Sequence, residues 1–128
     1  MWQFCDASDR AAHVGLGNGY SLGIEIVNRA NGKPYLTPGG KHPREVYPER
    51  VHGHNFRCTA FYPAQVSAAR GLTQALCAVY GLPYEAPVSD TVLDVPTLAS
   101  FRGVLGHFHY TRRKADPGTR LFKEMGLR

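Results

Sequence analysis

Apolar residues alternate with other residues between positions 20 and 28, which is the period of a β-strand. One face of this segment carries three aliphatic side chains, those of Leu22, Ile24 and Ile26. The other face carries Glu25 between Gly23 and Val27. The pattern predicts a central strand over residues 20–28. Because an ionised carboxylate in an apolar strand needs a charged partner, a metal site or a wet cleft, Glu25 is a candidate functional residue.

A second pattern, with the spacing of an α-helix, follows Pro63. Its apolar positions recur three or four residues apart, at Val66, Ala69, Leu72, Leu76 and Val79. Pro63 suits the first position of a helix, and Gly81 ahead of Pro83 suits its end. We expect one clear amphipathic helix between them.

The remaining segments have weaker patterns. Residues 2–4 have the composition of a short strand, and residues 31–55 lack both periods, which predicts a long irregular loop. Residues 101–109 predict a short strand that delivers His107 to its end, and residues 121–128 predict one or two helical turns. Since no repeat or linker divides the chain, we expect a single domain over residues 1–128.

Composition and charge indicate one globular domain and argue against a nucleic-acid-binding function. The chain has 128 residues, a formal net charge of +5 and 43% hydrophobic residues, which are values of one ordinary globular domain. The only dense basic cluster lies at residues 112–114, and no helix has the repeated basic face of a DNA-groove reader. We therefore expect most charges to be solvated and no nucleic-acid partner.

Cysteine usage and hydropathy bear on the compartment. Cys5, Cys58 and Cys77 form no C-x-x-C pair, which predicts free thiols in a reducing compartment. No segment reaches the roughly 20 apolar residues of a membrane span, and the first residues do not have the pattern of a secretory signal. We expect a cytoplasmic protein, with action in the periplasm or cell wall if it is delivered there or if its start is truncated.

His107 and Asp116, nine residues apart, are candidate metal ligands. One ends a predicted strand, and the other lies in a turn that can fold back on it. Imidazole nitrogen and carboxylate oxygen both suit zinc, and catalytic zinc sites use three protein ligands and keep a fourth position for water. Two unrelated surface residues are the alternative at this spacing.

Four motifs, in order along the chain, resemble the zinc-dependent N-acetylmuramoyl-L-alanine amidases, the family shared with peptidoglycan recognition proteins. Asn18 and residues 20–25 (YSLGIE) are similar to the family's glutamate-bearing strand. Residues 12–15 (AHVG) resemble its Trp-His-Ala-Gly loop, and residues 62–65 (YPAQ) resemble its helix start. Residues 106–107 (GH) and 113–118 (RKADPG) resemble its Gly-His segment and its closing Lys-x-Asp-Pro-Gly. The resemblance covers nearly the whole chain.

The resemblance implies an α/β fold, a mixed central sheet flanked by helices, and a role for each matching residue. His107 and Asp116 would hold Zn²⁺, and Glu25 would be the general base. Lys114 would donate to the developing oxyanion, and His13 and Asn18 would line the substrate cleft. The alternatives are that Glu25 pairs with a structural Arg or Lys, and that the Lys114 side chain is merely exposed to solvent. The implied reaction is hydrolysis of the amide between N-acetylmuramic acid and L-alanine in peptidoglycan or muropeptides.

The sequence departs from the family at the first zinc-binding histidine. In the family that residue ends a strand ahead of the one matched by residues 2–4, and no residue here matches it. We expect that the chain is a fragment, that it starts at an internal Met of a longer protein, or that the protein has lost this zinc ligand. We therefore expect zinc binding to be weak or absent.

Five residues are of a type that could substitute for this ligand: Cys5, His13, His52, His54 and His109. We interpret His52 and His54 as solvated loop histidines, and His109 as a neighbour of the ligands or a surface residue. The alternative function is a non-catalytic peptidoglycan-binding module of the same fold. The sequence does not fix the oligomeric state.

Overall fold

The β-sheet is a single hairpin in the computed structural model, which describes residue 3, residues 6–28 and residues 44–127. Strands β1 (Val46–Val51) and β2 (His54–Thr59) pair antiparallel along their whole length. The two residues between them, His52 and Gly53, have φ values of 56° and 77°, and a type I′ turn requires positive φ at both positions. The prediction of an irregular loop is therefore wrong for residues 46–55, and residues 31–43 lie outside the described residues.

Burial alternates along β1 as expected for a strand with one covered face. Tyr47, Glu49 and Val51 are buried, whereas Pro48 and Arg50 are exposed. Because the middle residue of the covered face is charged, the apolar alternation that identifies a strand is interrupted. This charge conceals the hairpin in the sequence.

Helix α1 (Pro63–Tyr80) confirms the predicted amphipathic helix at both ends. It begins at Pro63 and ends at Gly81, which adopts a left-handed conformation with φ 61°. The Gln65 side chain accepts a hydrogen bond from the backbone N–H of Tyr62 at 3.0 Å and so caps the first turn. The buried residues of the helix are Ala69, Thr73 and Cys77.

Three further helices follow α1, and the last of them closes the core. Helix α2 spans Val95–Ser100, α3 spans His107–Tyr110 and α4 spans Thr119–Met125, which confirms the helical turns predicted near the C-terminus. The main cluster of buried apolar residues joins β1, α1, α3 and α4: Val51, Ala69, Phe108, Leu121, Phe122, Met125 and Leu127. Four of these seven residues come from residues 121–127, so the C-terminal segment is a structural part of the domain.

The strand predicted over residues 101–109 is wrong. Residues 101–106 have no regular structure, and His107 begins α3 instead of ending a strand. The apolar residues of this segment fit a strand pattern, but Phe108 enters the core from a helical turn. A short apolar run does not distinguish a buried strand from a buried helical turn.

The central strand predicted over residues 20–28 is also wrong. A strand exists only where a neighbour supplies backbone partners, and no strand of the described residues pairs with this segment. Leu22 and Ile24 are each 40% exposed, and only the more deeply placed Ile26 packs against the core. Side chains hold the end of the segment, since Gln65 donates to the Val27 carbonyl at 2.7 Å and Asn28 donates to that of Thr59 at 2.7 Å.

The fold class is mixed α and β, with an antiparallel hairpin and four helices in the described ranges. The sheet there is antiparallel, in contrast to the mixed sheet that the sequence predicted. Trp2 and Phe4, which define the predicted N-terminal strand, lie outside the described residues. No helix in the described part of the chain is long and apolar enough to cross a membrane.

Candidate functional site

His107 and Asp116, the two predicted metal ligands, are in direct contact. His107 Nδ1 meets Asp116 Oδ2, and the two side chains are 35% and 57% exposed. The backbone brings them together, because the N–H of Phe108 donates to the carbonyl of Asp116 at 3.4 Å. Gly106 has no room for a side chain, since a Cβ there would lie 2.7 Å from Phe108 Cε1 and 2.9 Å from Pro117 Cδ. The loop with Asp116 is thus packed closely against the start of α3.

The second nitrogen of His107 is fixed by the N-terminal loop. His107 Nε2 lies 2.9 Å from the backbone carbonyl oxygen of His13, and a carbonyl oxygen only accepts hydrogen bonds. Nε2 therefore carries a proton, and Nδ1 is the ring nitrogen that faces Asp116. A backbone carbonyl that fixes the tautomer in this way is a common support of metal-binding histidines.

His13 and Asn18, the predicted cleft residues, hold the N-terminal loop in place. The Asn18 Oδ1 atom accepts hydrogen bonds from the backbone N–H groups of His13 at 3.0 Å and Val14 at 2.8 Å. The ring of His13 lies between the carbonyl oxygen of Ala11 and the hydroxyl of Ser21, with both distances 2.9 Å. These contacts place the His13 carbonyl against His107, and they engage both ring nitrogens of His13 within the protein.

Tyr110 adds a partly buried phenol beside this loop. Burial raises the pKa of its hydroxyl, and the neighbouring Tyr20 raises it further, whereas a hydrogen bond with Ser21 acts in the opposite direction. The phenol therefore stays neutral and can donate a hydrogen bond across the physiological pH range.

Lys114 lies in the loop between α3 and α4, with an exposed side chain and a fixed backbone. Its N–H donates to the carbonyl of Thr111 at 3.3 Å, and its own carbonyl accepts from His52 Nε2 at 2.9 Å. The prediction that His52 is a solvated loop histidine is wrong, because the side chain is buried. His54, the other histidine of the same turn, is exposed as predicted.

Glu25, the predicted general base, is exposed on the segment that was expected to be a strand. The structure therefore does not place it in an apolar environment. Among the residues described, no hydrogen bond or ion pair joins Glu25 to the other predicted site residues. The segment nonetheless passes the N-terminal loop, since a Cβ at Gly23 would lie 3.1 Å from the His13 ring.

His109 is buried in the core and is not available to a metal. Its Nδ1 accepts from the backbone N–H of Gly106 at 3.1 Å, and its Nε2 donates to the carbonyl of Ser89 at 3.4 Å. The ring packs against those of Phe108 and Phe122, with centroids 4.1 and 6.0 Å away. This histidine supports the start of α3 from inside the protein.

The site offers two candidate metal donors among the described residues, the side chains of His107 and Asp116. Within the described ranges, no group of three or more His, Cys, Asp or Glu side chains is placed to hold a metal ion. His107 and Asp116 offer one nitrogen and one oxygen donor at the protein surface, a combination that suits zinc. The residue that sequence reasoning missed is His52, whose contact with Lys114 spans 62 residues and is not visible in any local pattern.

Comparison with known proteins confirms the family that the motifs suggested. The family model described as N-acetylmuramoyl-L-alanine amidase matches residues 1–119. Neither the search of curated proteins nor the search of solved structures gave a match. The matched range contains all six residues that the sequence assigns to the site.

Proposed function

Because the chain belongs to the N-acetylmuramoyl-L-alanine amidase family, we propose that it hydrolyses the amide bond between N-acetylmuramic acid and L-alanine. The substrate is peptidoglycan or a muropeptide released from it. The observation that carries the proposal is the contact between His107 and Asp116. The two residues lie on different segments, the start of α3 and the loop before α4, and they meet at an accessible surface. The family supports amidase chemistry, and this pair supplies side chains suited to it.

We propose that His107 and Asp116 hold a zinc ion. They fit such an ion by donor type, because one imidazole nitrogen and one carboxylate lie next to each other at the surface, and His107 Nδ1 is the ring nitrogen left for a metal while Nε2 is bound to the His13 carbonyl. The pair supplies two ligands, and we assign no third. When bound, zinc would supply Lewis-acid activation of water and of the scissile carbonyl.

The remaining residues would handle protons and charge. We propose that Glu25 accepts the proton of the attacking water and passes it to the leaving amine of L-alanine. The Lys114 ammonium would stabilise the negative charge that develops on the carbonyl oxygen. His13 and Asn18 would shape the cleft wall beside His107, since the loop they hold meets that residue directly.

We propose a single amidase-like domain that functions in the cytoplasm, or at the cell wall if it is delivered there. The thiols of Cys58 and Cys77 are free, as expected in a reducing compartment. The closely packed C-terminal helix supports one folding unit, because α4 contacts both α1 and β1.

The test is release of new L-alanine amino termini from purified peptidoglycan sacculi by the zinc-loaded protein. We expect hydrolysis by the parent in excess zinc, and loss of hydrolysis in His107→Asn and Asp116→Asn. Asp90→Asn is the matched control, because Asp90 is exposed and contacts His52 through its backbone carbonyl, which the substitution leaves in place. Binding to sacculi without hydrolysis at any zinc concentration would contradict the proposal.

A further inference from the structure

We propose that His52 is a positioning residue that fixes the backbone of the loop bearing Lys114 and Asp116. This inference rests on the proposed function of that loop. His52 lies in the hairpin turn, far from the site in sequence, and it touches neither proposed metal ligand. Its effect would pass through the carbonyl of Lys114, the residue proposed to meet the oxyanion.

Three contacts hold His52 between two loops. Its backbone N–H donates to the carbonyl of Asp90 at 2.8 Å. Its ring lies between the hydroxyl of Thr91, 3.2 Å from Nδ1, and the carbonyl of Lys114, 2.9 Å from Nε2. The imidazole therefore links the hairpin turn, the loop before α2 and the loop before α4.

The chemistry of these partners fixes the orientation of the ring. The Lys114 carbonyl can only accept, so Nε2 must carry a proton, and in the neutral ring Nδ1 then accepts from the Thr91 hydroxyl. No other placement of protons on a neutral ring satisfies both neighbours. The Lys114 carbonyl thus fixes the tautomer, and the Thr91 hydroxyl holds the ring in this orientation by donating to Nδ1.

The backbone of His52 indicates that this placement is specific. His52 has φ 56° and is the sole residue other than glycine with positive φ among the residues described. Such a conformation is unfavourable for most side chains and persists where the surroundings determine it. Asn would suit this turn position better, and the turn itself has no need of an imidazole.

The contact is also the shortest backbone restraint near Lys114. The Lys114 N–H reaches the Thr111 carbonyl at 3.3 Å, and the Phe108 N–H reaches the Asp116 carbonyl at 3.4 Å. Both are long compared with the 2.9 Å bond from His52. Without the imidazole, the Lys114 carbonyl would lose this bond, and the 3.3 Å bond to Thr111 would be the backbone restraint described at Lys114 itself.

The experiment compares four variants of the full chain, loaded with zinc. His52→Leu removes the donor, His52→Gln keeps an N–H donor at similar reach, and Thr91→Val removes the hydroxyl that holds Nδ1 of the ring. His54→Leu is the matched control, because His54 is exposed in the same turn. The measurements are amide hydrogen exchange at Lys114 by NMR, the melting temperature, and kcat and KM on a purified muropeptide.

We expect His52→Leu to accelerate exchange of the Lys114 amide at least tenfold. A displacement of about 1 Å at a catalytic group costs on the order of a hundredfold in rate, so kcat should fall between tenfold and a hundredfold, with KM within about twofold. His52→Gln should recover most of the lost kcat, and His54→Leu should match the parent. A purely structural role would lower the melting temperature without this division between kcat and KM.

The proposal is overturned if folded His52→Leu keeps parental kcat and Lys114 exchange, or if His54→Leu causes the same loss. If His52→Leu does not fold, Thr91→Val decides, because it retains the imidazole and removes only the hydrogen bond that holds Nδ1 of the ring. Several-fold faster Lys114 exchange is then expected, and an unchanged rate overturns the proposal. If the parent has no amidase activity, the proposed function fails, while Lys114 exchange still reports whether His52 positions the loop.

Discussion

The Glu49 carboxylate, on the buried face of β1, accepts hydrogen bonds from the backbone N–H of Thr119 at 3.1 Å and from its hydroxyl at 2.7 Å. The same carboxylate lies 3.3 Å from the backbone N–H of Arg120. The hairpin therefore holds the start of α4, just as its turn holds Lys114 through His52. Two contacts from one hairpin thus restrain the middle and the end of the loop that carries Asp116.

We predict that Glu49→Gln destabilises the protein. A glutamine keeps one acceptor oxygen, but its amide group cannot accept from the backbone at the start of α4, so a buried donor loses its partner. Such a loss costs about 1–3 kcal/mol. Urea denaturation should show a lower midpoint with an unchanged slope.

The matched control for Glu49 is Glu85→Gln, the same substitution at an exposed position. Surface changes of this kind stay within about 0.5 kcal/mol of the parent. Equal denaturation midpoints for the two variants would show that the Glu49 carboxylate does not stabilise α4.

The ion pair between Glu45 and Arg120 makes stability depend on pH. Arg120 Nη2 donates to Glu45 Oε2 at 2.8 Å, and this hydrogen bond lowers the pKa of Glu45 below its ordinary value of 4.5. A carboxyl group whose pKa is lower in the folded state stabilises the fold above its unfolded pKa. That contribution is lost as the pH falls through the folded pKa.

We therefore predict that the parent melts at a higher temperature than Glu45→Gln at pH 7, and that the difference closes as the pH falls below 4.5. The effect should be small, since the carboxylate is exposed, and 1 M NaCl should reduce it further. Thermal melts over a pH series check this. A difference in melting temperature that grows toward acid pH would contradict a stabilising role of this ion pair.

Two glycines should respond to alanine in opposite directions. At Gly106 a Cβ would lie 2.7 Å from Phe108 Cε1, so Gly106→Ala must displace the core ring or Pro117. Overpacking of this kind costs about 1–3 kcal/mol. Because Gly106 precedes His107, we also expect weaker zinc retention in this variant.

Gly71 is the control, since it lies within α1 and a Cβ there meets nothing within 4 Å. Alanine is favoured over glycine inside a helix by about 0.5–1 kcal/mol, so Gly71→Ala should raise the melting temperature. Parental stability and zinc retention in Gly106→Ala would refute the close packing described for the start of α3.

Local signals explain which parts of the fold were predictable. Helix α1 was predicted correctly because Pro63, Gly81 and the apolar period all act within a few residues of one another. The hairpin was missed because Glu49 interrupts its buried face and the turn lacks the usual Asn-Gly pair. The segment over residues 20–28 has a strand's alternation, but a strand also needs a partner that no local pattern reveals.

The site divides in the same way. The motifs identified His107 and Asp116, and the structure brings the two into contact. The partners that orient them, the His13 carbonyl and the His52 ring, are 94 residues from His107 and 62 residues from Lys114 in the sequence. Contacts over such separations depend on the packing of whole elements, and a single sequence does not show them.

Glu25, the proposed general base, should be needed for turnover but not for folding. Glu25→Gln keeps the shape of the side chain and removes its basicity, so kcat should fall about a hundredfold or more, the range typical of general acid–base catalysis. Since the side chain is exposed and makes no ion pair among the described residues, the melting temperature should stay at the parental value. Glu85→Gln is again the matched control, and it should retain full activity. The measurement is release of L-alanine amino termini by the zinc-loaded variants, and a turnover of Glu25→Gln within a few-fold of the parent would rule out Glu25 as the base.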